Sequence, residues 1–282
     1  MRLVRGATLA CLLISLPARA DGVRIWECRE VEVYLEDARE QAAGRLIAKT
    51  VCRVARELAP KFGLRAGEQP VEVLVSGDMR SFSAHTGRTF FTLAVHAQGR
   101  IITPPAQRMI EAAMMTEVLT HELVHLMIYR LVGHRCPIWL NEGLAQYFEG
   151  REVVKGGPRN EDELEALEAA WRSRQASVVQ RRQAYADSLA LTARLIELVG
   201  EKALLASLSG LAELDDPLDL RIGERSLREV LFGKDGKIER MVEIGQHDDR
   251  DVGRARKRRA SGVSRLPLKK MLQKAHEKEK KR

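Results

Sequence analysis

His121 and His125 stand four residues apart in the run His121-Glu122-Leu123-Val124-His125. On an α-helix that spacing puts two imidazoles one above the other on the same face. Two imidazoles so placed converge on one small cation, and Zn²⁺ favours such nitrogen ligands. Glu122, directly after the first histidine, is placed to act as general base on a water held by the metal. The same five residues also fit an ordinary amphipathic helix with two half-exposed histidines, so the neighbouring sequence has to decide.

After His125 come sixteen residues and then Glu142, inside Cys136-Pro137-Ile138-Trp139-Leu140-Asn141-Glu142-Gly143-Leu144-Ala145. Met114, Glu117, Val118, His121, His125 and Ile128 recur at helical spacing and predict one helix from about Arg108 to Val132. Gly133 suits a left-handed stop. Pro137 suits the start of a second helix that carries Glu142 in its first turn and ends near Gly150. Two helices joined by a short turn bring Glu142 back to the histidines. That makes a His₂Glu set with a fourth position open to water, the arrangement of catalytic rather than structural zinc.

HELVH followed by WLNEGLAQYF resembles the gluzincin zinc metallopeptidases, the peptidase-MA-like superfamily that includes thermolysin. The resemblance covers about residues 70–210. It implies His121, His125 and Glu142 as ligands of one Zn²⁺, Glu122 as general base, and a peptide or protein substrate. The spacer between His125 and Glu142 is shorter than in thermolysin or the large aminopeptidases. The resemblance also implies a Tyr or His on a later helix as donor to the developing oxyanion. Tyr185, in Gln183-Ala184-Tyr185-Ala186-Asp187-Ser188-Leu189, is the best match; an aromatic anchoring its helix to the core fits equally. Glu117, one turn before His121, is a candidate to hold an imidazole, or simply part of a solvated face. Aminopeptidase-type relatives carry an acid upstream that grips the substrate amino terminus. Ala94-Val95-His96-Ala97-Gln98-Gly99-Arg100 has none, which favours endopeptidase activity. The alternative is a non-catalytic envelope-associated binding or scaffold protein that retains the fold.

The elements that must position these residues read as α+β: a small, mostly antiparallel sheet, then a helical lobe. The resemblance makes this zincin-like, with the zinc between the two lobes. Asp37 to Phe62 reads as a long helix and Val71–Val75 as a strand. Asp78 to Thr86 reads as a short helix. Phe90 to Ala97 and Arg100 to Thr103 read as two strands, an ordinary hairpin or an edge able to pair with an extended peptide. Gly156-Gly157-Pro158 precedes an acidic helix, Glu161 to Arg174. Further helices are expected at about 183–199, 201–209 and 224–232. The expected organisation is a signal peptide over 1–20, a helix and sheet over 21–106, a helical zinc-binding part over 107–235, and a basic tail over 236–282.

The signal peptide rests on Met1 to Arg5, short and basic, an apolar stretch from Ala7 to Leu16, and Ala18-Arg19-Ala20 as a cleavage site. It predicts an exported chain, periplasmic or extracellular. In that compartment Cys28 and Cys52 can pair, and Cys136 reads as a buried small hydrophobe. Residues 250–282 carry 14 Lys/Arg against 3 Asp/Glu, a net of +11. The whole chain is +8, so residues 1–249 carry −3. The tail has the composition of a disordered extension. Export argues against nucleic acid as its partner. Anionic envelope polymers or lipid headgroups are the expected contact, against a merely solvated tail.

Overall fold

The computed structural model describes residues 23–233, apart from 66, 89–93, 98, 112 and 155. The expected signal peptide, the basic tail and the first residues of the strand expected from Phe90 lie outside the described residues. Two strands open the described residues, β1 (Val23–Cys28) and β2 (Val31–Leu35), followed by helix α1 (Gln41–Leu58). Val31, Val33 and Leu35 are fully buried, and Ile47, Val51 and Val54 of α1 are buried in the same core. Strand β3 (Val71–Val75), helix α2 (Met79–Thr86) and strands β4 (Val95–Ala97) and β5 (Arg100–Thr103) follow.

These strands form one sheet in the order β1-β2-β3-β5-β4. The expectation of a mostly antiparallel sheet needs correction. β2 pairs with β3, and β3 with β5, in parallel; only the outer pairs β1–β2 and β4–β5 are antiparallel. The cause is α1. A helix between β2 and β3 returns the chain to the same end of the sheet, so the two strands run the same way. Cys28 and Cys52 are disulfide-bonded and fasten the end of β1 to α1. Closing a loop of this length removes unfolded-state entropy worth about 3 kcal/mol.

The single helix expected from Arg108 to Val132 is two. Helix α3 (Ala106–Glu111) stops, and α4 (Met115–Val132) starts afresh. Between them Ala113 takes φ 53°, and its N–H closes a turn on the Ile110 carbonyl. Helix α5 (Ile138–Glu149) begins after Pro137 and ends on Gly150 in the left-handed conformation that glycine adopts without strain. Helices α6 (Glu161–Arg172) and α7 (Val178–Val199) then pack beside it, and α8 (Glu201–Ser207) packs on α7. A short hairpin of β6 (Arg221–Ile222) and β7 (Arg225–Ser226) leads to α9 (Leu227–Phe232). The architecture is α+β, and buried residues from Ile25 to Phe232 share one core. Among the described residues no helix is long and apolar enough to cross a membrane.

Candidate metal centre

Helix α4 is held on nearly every side. Met115, Leu119, Leu123, Val124, Leu126 and Met127 are all buried. In its last turn, Arg130 donates to the carbonyls of Gln69 and Pro70, in the segment leading into β3. A helix fixed this way sets the direction of the few side chains that are not packed. His121 and His125 are two of them, half-buried one turn apart, with ring centroids 4.7 Å from each other. Glu142 approaches from α5. It is the fifth residue of that helix and so opens its second turn, one step later than the sequence suggested.

His121, His125 and Glu142 form a group able to hold a metal ion, with one ligand atom from each inside 4.8 Å of the others. Glu142 Oε2 lies 3.6 Å from His121 Nε2 and 3.8 Å from His125 Nε2. It is buried and has no hydrogen-bond partner among the described residues. The outer nitrogens are engaged elsewhere. His121 Nδ1 lies 3.0 Å from Glu149 Oε2, and His125 Nδ1 lies 2.9 Å from Asn141 Oδ1. An oxygen acceptor at Nδ1 calls for a proton there, which turns the Nε2 lone pair of a neutral ring toward Glu142. Two imidazole lone pairs and one unpaired buried carboxylate oxygen then face a common point. This donor set fits a divalent cation.

The electrostatics favour positive charge at this point: a proton on His121 supplies it, and a bound cation would displace that proton from Nε2. Burial disfavours the His121 imidazolium, but Glu142, Glu149 and Glu122 outweigh it and raise its pKa to about 10. Burial pushes the Glu142 carboxyl up, yet the two imidazoles and Arg88 more than offset this and hold it below its ordinary value. Glu149 is likewise held low, against burial, by His121 and Arg151. Three carboxylates around two imidazoles favour positive charge between them.

Glu122 lies on the same stretch of α4 and meets the sheet. Its Oε2 accepts the backbone N–H of His96 at 2.7 Å. His96 is the middle residue of β4, the last strand of the sheet, so the carboxylate is tied to the sheet edge. Tyr185 lies on α7. Its ring stands edge-on to Trp171, with centroids 4.6 Å apart, and Trp171 Nε1 donates to Ser188 Oγ. Burial and then the charges of Glu142 and Glu122 raise the Tyr185 pKa to about 12. The phenol therefore stays protonated and able to donate, within the electrostatic reach of both carboxylates. The ring also packs on Trp171, as an aromatic that anchors its helix would.

Glu117 does not hold an imidazole. It is exposed in the first turn of α4, and the carboxylate on His121 belongs to Glu149 at the end of α5. Cys136 is the buried small hydrophobe expected, with its thiol pushed up by burial. Sequence reasoning also missed Gln146, one turn after Glu142. It donates to the backbone carbonyl of Tyr185 at 2.9 Å and so links α5 to α7. Asn141, Gln146 and Glu149 all sit on the helix that bears Glu142. Polar residues at helical spacing around a ligand were the signal available. Glu149→Gln keeps the shape but loses the charge that holds His121. It is expected to weaken metal affinity about 10- to 100-fold, read by zinc titration against a competing chelator. An unchanged affinity would remove Glu149 from the site.

Compared with known proteins, the chain matches no protein-family model and no curated protein sequence.

Proposed function

We propose that the protein is an exported zinc metallopeptidase of the gluzincin type that hydrolyses internal peptide bonds. One observation carries the reading. Two histidine Nε2 atoms and the unpaired, buried Oε2 of Glu142 face one point, while both Nδ1 atoms are occupied by oxygen acceptors. Two nitrogens and one carboxylate oxygen suit Zn²⁺ over the harder cations, which prefer oxygen alone. His121, His125 and Glu142 would hold the ion, and Glu149 and Asn141 would orient the two rings.

Bound there, Zn²⁺ would supply Lewis acidity to a substrate carbonyl and lower the pKa of water. The remaining roles belong to the chain. Glu122, steadied at Oε2 by the His96 N–H, takes the proton of the attacking water on Oε1 and passes it to the departing amine. Tyr185, protonated at any physiological pH, donates to the oxygen on which negative charge develops. The absence of an acid across 94–100, on and beside the edge strand, favours internal bonds over amino-terminal ones. The Cys28–Cys52 bond suits an oxidising compartment, in line with the signal peptide read from residues 1–20.

The test uses the purified chain. One equivalent of zinc is expected, with cleavage of internally quenched peptides that stops with a chelator and returns with zinc. Aminoacyl reporters are expected to stay intact. A zinc-loaded protein that cleaves nothing across a broad peptide and protein library would overturn the proposal.

A further inference from the structure

Away from the metal centre, α6 and α7 enclose a groove of about 360 Å³. Its floor is apolar, made by Leu167, Ala170 and Ala184, and its rim carries Glu163 and Asp187. No Lys or Arg is among the described lining residues. Each carboxylate gives one oxygen to a local donor: Glu163 Oε2 to the Arg159 N–H and Asp187 Oδ1 to Gln183 Nε2. At the start of α7, just before the lining residue Gln180, Val178 and Val179 are 68% and 76% exposed, an unusual display for two adjacent valines. The groove therefore asks for an occupant that is apolar and cationic at once.

The chain has such a segment. Arg265-Leu266-Pro267-Leu268-Lys269-Lys270-Met271-Leu272-Gln273-Lys274 interleaves four large apolar residues with four cations. The last described helix also reaches α6, one wall of this groove. Arg228, on the last helix, bonds the carboxylate of Glu161, the first residue of α6 and two before Glu163. The 31 residues from 234 to 264 lie between that helix and Arg265. At about 3.3 Å per extended residue they far exceed the length of either helix. Tethering of this kind raises the local concentration of the segment well above that of a free ligand.

We propose that the α6–α7 groove is the docking site of the chain's own basic carboxy-terminal segment, centred on residues 265–274. The apolar side chains lie on the Leu167–Ala170–Ala184 floor and against Val178 and Val179. The cations meet Glu163 and Asp187. Ala184 and Asp187 flank Tyr185 on α7, so the docked segment braces the turn that presents this residue.

The probe is a fluorescent peptide of residues 263–276, added to protein truncated after residue 249. Saturable binding by anisotropy is expected, weakened at least tenfold by Glu163→Gln with Asp187→Asn and by raised salt. Ala166→Trp, at an exposed position on the groove wall, is expected to block it as well. The full chain is expected to bind the peptide at least tenfold more weakly, because its own segment competes. Three results would overturn the proposal: equal binding to the truncated and full chains, equal binding to the variants, or binding to anionic phospholipid vesicles with none to the truncated protein.

Discussion

Glu122→Gln is expected to abolish peptide hydrolysis while the protein still binds one zinc. Glutamine is isosteric and keeps an oxygen to accept the His96 N–H, so the local geometry survives. What disappears is a carboxylate able to take a proton, and general acid–base catalysis of this sort contributes about 10²–10⁴-fold. The ligand set of His121, His125 and Glu142 is untouched, and metal content should stay at the wild-type level. The pair of measurements separates the peptidase from the alternative of a zinc-retaining scaffold, because a scaffold has no use for a base at this place. Turnover within threefold of wild type would remove Glu122 from the chemistry.

Gly143→Ala should be the most damaging single methyl group in the region. On helix propensity alone alanine would gain about 1 kcal/mol over glycine. Sterics reverse the sign. A Cβ at residue 143 would fall well inside contact distance of the Ser188 carbonyl oxygen and Thr192 Oγ1, and 2.8 Å from Thr192 Cβ. The obstacle includes the backbone of α7, which no rotamer change can move. Overpacking costs typically 1–3 kcal/mol, and a backbone clash sits at the upper end, about 3 kcal/mol. The relief available is to part α5 from α7, and Glu142 is the residue next door. A lower melting temperature together with weaker zinc binding is the expected result. Wild-type values for both would show that the helices do not need this close approach.

Local signals in the sequence were reliable where the local backbone decides the outcome. Pro137 and Gly150 bracket α5, Val71–Val75 is a strand, and Asp78 caps α2. The four-residue spacing of His121 and His125 was enough to place both rings on one helix face. Other features depend on partners distant in sequence. Val31, Val33 and Leu35 alternate with Glu32 and Tyr34, a strand pattern legible in the sequence. Nothing in that alternation says whether the neighbour runs parallel or antiparallel. The break at Ala113 has no Gly or Pro to announce it. Met115 goes into the core while Ala113 and Met114 stay exposed, and that packing ends one helix and starts another. Glu149 could not be told from Glu117 as the partner of His121, because the choice depends on where α5 crosses α4. Helical spacing alone favoured Glu117, and the three-dimensional crossing selected Glu149.

The bond from the His96 N–H to Glu122 has a consequence for any chain laid along the sheet edge. In a strand, the N–H and C=O of one residue point to the same side. β4 is three residues long, and His96 is its outward-facing member. With the N–H committed to Glu122, the strand offers a visiting backbone a single acceptor, the His96 carbonyl, and no donor. A guest cannot zip along the described residues of this edge as a regular sixth strand would. It is pinned at one point, by one N–H of its own, and everything else that selects it must come from side chains. The fold thus spends this strand on holding the Glu122 carboxylate rather than on gripping a visitor. At β4 the same choice is protective, since a strand whose outward N–H is already engaged is a poor template for strand-to-strand aggregation.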